Sequence, residues 1–121
     1  MQPKKNIFIY DSSRVYSRFV KIKYEKLFDV KSFANTKQIN ELDFESYYFG
    51  IFVLSENAEL LDLVILQKKI KFLIIATAMS VYSEIIKNKV DMPFLDLTKN
   101  KHEIFQNLNT IISMLVPKQN D

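Results

Sequence analysis

A chain of 121 residues is one domain, residues 1–121, with room for a single core. Its 48% apolar and 26% charged content is that of a folded globular protein, and the absence of cysteine excludes disulfides, thiolate metal sites and cysteine nucleophiles. The net charge of +3 is uneven: residues 1–40 hold nine Lys/Arg against three Asp/Glu, which hints at an anionic partner near the first predicted helix, whereas the remainder holds eight against eleven.

The start, Met1-Gln2-Pro3-Lys4-Lys5, leads into an apolar stretch too short for a signal peptide, and no apolar run approaches the ~20 residues needed to span a bilayer. A cytoplasmic protein is the expectation. The first strand follows as Ile7-Phe8-Ile9-Tyr10 and stops at Asp11-Ser12-Ser13. Ser12 or Ser13 can cap the next helix, in which Tyr16, Val20, Tyr24 and Leu27 form one apolar stripe. Arg14, Arg18 and Lys21 lie on another face and read as solvated. A short edge strand is predicted around Val30 to Ala34, then a capping signal at Asn35-Thr36 before a helix carrying Ile39 and Leu42.

The second strong run, Ile51-Phe52-Val53-Leu54, ends at Ser55-Glu56. A helix from Glu56 to about Lys69 is expected to turn Leu60, Leu61, Val64 and Ile65 to the sheet, with Glu56 and Glu59 in its first turn and Lys68-Lys69 in its last suiting the helix dipole. Phe72-Leu73-Ile74-Ile75-Ala76 ends at Thr77, and Ser80 can cap a fourth helix carrying Val81, Ile85 and Ile86. Pro93 opens the last strand, Phe94-Leu95, which passes through Asp96-Leu97 to Thr98-Lys99. The final helix carries Ile104, Phe105, Leu108, Ile111, Ile112 and Leu115 and stops before Pro117.

Unbroken apolar runs of this length are strands covered on both faces. Strand and helix alternate five times, so the expected fold is α/β: a doubly wound, flavodoxin-like, five-stranded parallel sheet of order 2-1-3-4-5 with helices on both faces. Ligands and chemistry in such sheets gather at the carboxyl ends of the strands. A single glycine, Gly50, excludes P-loop and G-x-G-x-x-G phosphate cradles, and a single histidine, His102, excludes a His-rich metal site and reads as a surface residue.

The strand endings give the layout a family likeness. It resembles the receiver domain of bacterial two-component response regulators over nearly the whole chain. In that family the first strand ends in two acidic residues that hold Mg²⁺, and the third ends in the aspartate that accepts phosphate from a histidine kinase. The fourth ends in Thr or Ser followed by Ala, and the fifth carries an aromatic residue and then a lysine. Here Asp11 falls on the first acidic position and Ser12 replaces the second. Ser55 stands at the phosphoacceptor, Thr77-Ala78 match the switch Thr and its neighbour, Phe94 matches the switch aromatic, and Leu97 stands at the lysine. The segment from Ser55 to Thr77 is shorter than receivers usually show and lacks their Met-Pro turn. Lys99 lies two residues beyond Leu97, on the same strand face if the strand continues.

Serine without an adjacent base is a poor nucleophile, and one carboxylate is a thin site for Mg²⁺. The resemblance therefore implies a degenerate receiver: not an enzyme, without cofactor or metal, acting in signalling or scaffolding through protein–protein contacts. The family's usual surface, built by the fourth helix, fifth strand and fifth helix, would here span Val81 to Leu115, with Tyr82, Ile86, Lys89 and Lys101 as candidate contacts for a protein partner or a second copy. The alternative is a still-active receiver, or a small metal- or ligand-binding domain, using Asp11, Glu56, Thr77 and Lys99. Glu56 enters that alternative through a one-residue slip of strand register. Asp11 can equally be a turn cap, and Thr77 and Phe94 plain packing. Nucleic-acid binding is disfavoured because the basic first helix lacks interleaved exposed aromatics, and a membrane role is not expected.

Overall fold

The computed structural model describes residues 4–35, 43, 46–70, 72–79 and 93–115. Among them, strands β1 (Lys5–Tyr10), β2 (Phe28–Phe33), β3 (Tyr47–Leu54), β4 (Leu73–Thr77) and β5 (Phe94–Asp96) form one parallel sheet in the order β2-β1-β3-β4-β5. Helices α1 (Ser17–Tyr24), α2 (Leu60–Lys69) and α3 (Lys101–Leu115) cover it. The three long apolar runs are the three central strands, as their unbroken hydrophobicity requires.

Each central strand feeds two cores. Ile7, Ile9, Ile51, Val53, Ile74 and Ala76 point to the face covered by Val20 and Tyr24 of α1 and by Ile104, Leu108 and Ile112 of α3. Phe8, Tyr10, Phe52, Leu54, Leu73 and Ile75 point to the other, where they meet Leu63 and Leu66 of α2 and Ile70 beyond it. The second core is the more aromatic: Tyr10 stacks on Phe52 with centroids 4.7 Å apart, and Phe8 meets Tyr47 edge-on at 5.3 Å. Gly50 pairs with Phe8 in the β1–β3 register, and the Phe8 ring fills the space that a side chain there would need. The single glycine is thus required by close approach within the sheet.

Three expectations change. Helix α1 ends at Tyr24, so Leu27 leaves the apolar stripe and is exposed in the turn that delivers buried Phe28 to β2. The edge strand accordingly begins at Phe28 rather than Val30. The larger correction concerns α2. Leu63, Leu66 and Ile70 face the sheet, while Leu60, Leu61, Val64 and Ile65 are exposed. Six of the seven residues from Leu60 to Leu66 are apolar, so periodicity leaves the rotation of the helix open. Glu59 fixes it. Its buried carboxylate accepts the Ser55 and Glu56 amides at 2.9 and 3.0 Å, and residues 59, 63, 66 and 70 then share one face.

The predicted helix with Ile39 and Leu42 and the predicted fourth helix, with Val81, Tyr82, Ile85, Ile86 and Lys89, lie outside the described residues. No described helix is long and apolar enough to cross a membrane.

Candidate functional site

Asp11 is the first residue beyond β1 and is fully buried. Its backbone amide donates to the Phe33 carbonyl at 2.8 Å, which continues the ladder onto β2. One carboxylate oxygen, Oδ1, accepts the Ser13 amide at 3.1 Å and the Ser13 hydroxyl at 2.5 Å. The other, Oδ2, accepts the Tyr16 amide at 2.7 Å and the Ser17 amide at 3.1 Å. Tyr16 stands at the N-cap position of α1 without a side-chain cap of its own, so Asp11 does the capping from five residues away. The serines expected to cap the helix are secondary: Ser13 Oγ reaches the Val15 amide at 3.3 Å. The same turn carries Arg14 at φ 62°, in the left-handed region, with its amide on the Asp11 carbonyl at 3.1 Å.

Ser55 follows β3 and is half-buried, its amide held by Glu59. Glu56 is exposed in extended backbone at the entry to α2, where it starts the 3₁₀ turn Asn57–Glu59 instead of completing β3. The register slip that would have aimed it at Asp11 does not occur. Thr77, at the end of β4, is fully buried; its hydroxyl donates to the Leu54 carbonyl at 2.8 Å and accepts the Met79 amide at 3.0 Å. Phe94 pairs with Ile75, two residues before Thr77, and so lies on the same sheet face as Thr77, half-buried against the aromatic core.

The last strand ends at Asp96, whose Oδ1 accepts the Thr98 amide at 2.9 Å and the Thr98 hydroxyl at 2.6 Å. This repeats the Asp11–Ser13 arrangement at the end of β1. Leu97 donates its amide to the Thr77 carbonyl at 3.0 Å and buries its side chain in the α1–α3 core. Lys99 is exposed beyond the strand, because the turn held by Asp96 ends the extended backbone before it. Lys101 opens α3 with its ammonium 3.4 Å from the centroid of the Phe19 ring on α1. Arg14, Arg18 and Lys21 line a groove of about 710 Å³ between α1 and the end of β2, floored in part by Phe33.

Glu59 is the residue that sequence reasoning valued only for its charge. It is buried, with its carboxylate beside the Tyr10 hydroxyl. Burial, and then the Glu59 carboxylate beside it, push the Tyr10 phenol well above its ordinary value, with smaller contributions from Asp62 and Glu56. The signal for Glu59 was present as its three-residue spacing from Glu56, the pattern of a helix N-terminus. Asp96 could have been found the same way, since Asp two residues before Ser or Thr is a turn-forming pair at both strand ends.

The strand ends therefore assemble as the topology requires, but the Asp11 carboxylate and the Thr77 hydroxyl are occupied within the fold. The Mg²⁺ that a receiver holds takes one or two carboxylates with water and phosphate oxygens at near-octahedral geometry. Here the one carboxylate at that position carries four internal hydrogen bonds, and among the described residues no three Asp, Glu or His side chains are placed to hold a metal. The residues present do not fit the ion.

No protein-family model and no curated protein matches the chain. Among solved structures, the BeF3-activated DrrB receiver domain is similar at a TM-score of 0.57, over 92% of this chain and 99% of its own, with 14% sequence identity. The strand order, the parallel ladders and this likeness together give the chain the flavodoxin-like fold of a response-regulator receiver domain.

Proposed function

We propose that this receiver-fold chain is a signalling module that works through protein–protein contacts and without phosphoryl transfer. One observation carries the reading: Asp11, the carboxylate at the receiver metal position, has both oxygens engaged by Ser13, Tyr16 and Ser17. The residue at the phosphoacceptor position, Ser55, offers a hydroxyl where phosphorylation needs a carboxylate, and Leu97 buries a hydrocarbon side chain where an ammonium would hold the product. The alternative set of Asp11, Glu56, Thr77 and Lys99 gains nothing from the geometry. Glu56 and Lys99 are exposed outside the strands, and Asp11 and Thr77 are engaged internally.

In this reading the partner meets the surface that includes β5 and α3, where Lys101 is exposed, together with Tyr82, Ile86 and Lys89 of the segment outside the described residues. The test is a titration of the protein with Mg²⁺ and beryllofluoride, or a small-molecule phosphodonor, followed by backbone NMR. Unchanged spectra are expected. Stable phosphate on Ser55 or Glu56, or Mg²⁺-dependent shifts centred on Asp11, would overturn the reading.

A further inference from the structure

Helix α2 has two apolar faces. One, Leu63 and Leu66, is used in the core at 3% and 1% exposure. The other carries Leu60, Leu61, Val64 and Ile65 at 37%, 68%, 42% and 41%. Exposed apolar side chains are ordinarily scattered singly, as Val15, Ile22, Leu27 and Met114 are. Four large apolar side chains side by side on ten residues are a patch, and such patches mark interaction sites.

The charges around the patch say what covers it. Glu56 and Asp62 lie at its amino end, and Lys68 and Lys69 at its carboxyl end. At 100° per residue, Leu61, Val64 and Ile65 centre the outward face, with Lys68 in line with Leu61 at its carboxyl end, while Asp62 and Lys69, seven residues apart, share one flank. A two-fold axis across the midpoint of the helix, near Val64 and Ile65, sets an identical helix against it antiparallel and preserves that flank. Each Asp62 then stands beside the partner's Lys69, the apolar side chains meet in the centre, and the two helix dipoles oppose. A parallel two-fold would instead exchange the flanks, so that Asp62 and Lys69 would not meet, and would align the two helix dipoles side by side. We infer that the outward face of α2 is a self-association surface, and that its occupant is α2 of a second copy of this chain in antiparallel register.

A helix of ten residues is about 15 Å long, so the contact is small and the dimer should be weak and concentration-dependent. The flanking charges set orientation more than affinity. Because the chain has no cysteine, a single introduced cysteine reports its own neighbours. Val64→Cys and Ile65→Cys, nearest the axis, should give several-fold more disulfide-linked dimer under mild oxidation than Met114→Cys, a more exposed position on α3. In sedimentation equilibrium, run without Mg²⁺ or phosphodonor so that the outcome is separate from the proposed function, the wild type should dimerise. Leu61→Asp with Ile65→Asp should weaken association at least tenfold. Asp62→Lys should weaken it, and Asp62→Lys with Lys69→Asp should restore it. A chain that stays monomeric up to millimolar concentration overturns the inference. So does a dimer indifferent to the α2 changes, one that binds only an acidic peptide or lipid vesicle through this face, or cross-linking from position 114 as efficient as from 64 and 65.

Discussion

The Thr77 hydroxyl donates to the Leu54 carbonyl at 2.8 Å, tying the end of β4 to the last residue of β3 immediately before Ser55. A threonine has one hydroxyl proton, and this contact uses it, while the Met79 amide at 3.0 Å takes a lone pair. A hydroxyl free to swing toward a bound anion would have to give up both. Here Thr77 is built into the ladder of strand ends.

Thr77→Val keeps the shape and removes both bonds, leaving the buried Leu54 carbonyl and the part-buried Met79 amide without this partner. It should lower the unfolding free energy by about 1–3 kcal/mol, whereas Thr77→Ser should lose less than about 1 kcal/mol. Urea unfolding with an unchanged m-value checks both. A larger loss in Thr77→Ser than in Thr77→Val would mean that the methyl group, rather than the hydroxyl, matters at this position.

Asp11 gives the sharper contrast. Asp11→Ala withdraws the acceptor for the amides of Ser13, Tyr16 and Ser17 and frees a turn that contains a left-handed Arg14. A lost N-cap costs about 1–2 kcal/mol, and the buried setting puts this variant at or above the upper end. The loss should be identical with and without Mg²⁺. A wild-type melting temperature that rises with Mg²⁺, and fails to do so in Asp11→Ala, would make the carboxylate a ligand after all.

These residues also show what a sequence carries. Strands β1, β3 and β4 are legible because burial on both faces leaves unbroken apolar runs, and β2 is legible as an edge strand from the shortness of its apolar stretch. The rotation of α2 is not legible, because apolar residues populate both of its faces and the decision falls to Glu59 accepting two backbone amides. Asp11 stood equally as ligand or cap on its residue type. Only the positions of the Tyr16 and Ser17 amides, five and six residues on, decide how its oxygens are used. Leu97 and Lys99 were separable only once the turn at Asp96 ended the strand.

Gly50→Ala tests the sheet itself. A Cβ at position 50 would lie 2.2 Å from Phe8 Cζ and 2.4 Å from Phe8 Cε2, so the ring must move within a packed aromatic cluster. Overpacking of this kind costs about 1–3 kcal/mol. Shortening the neighbour should relieve it: Gly50→Ala should be far less damaging in a Phe8→Leu background than alone. A double-mutant cycle from chemical unfolding gives the coupling, and strict additivity would show that the ring is not what demands glycine.

The last prediction concerns alkaline pH. Burial pushes the Tyr24 phenol up to about 12 from an ordinary 10.0, and its hydroxyl donates to the side-chain oxygen of Asn109 on α3. The raised value means that the folded chain keeps this proton after the unfolded chain has lost it. The contribution to stability is therefore full below pH 10 and falls as pH rises toward about 12. Tyr10, Tyr47 and Tyr48 are shifted in the same direction by burial, so the unfolding free energy should drop steeply over this window. Each shifted phenol contributes at most about 1.4 kcal/mol per pH unit. Tyr24→Phe should cost about 1 kcal/mol at neutral pH through the lost bond to Asn109 and make the alkaline slope shallower by up to one proton. The measurement is unfolding free energy against pH in both proteins, beside tyrosinate absorbance. An unchanged slope would mean that Tyr24 ionises in the folded chain at its ordinary value and that α1 and α3 part there more readily than their packing implies.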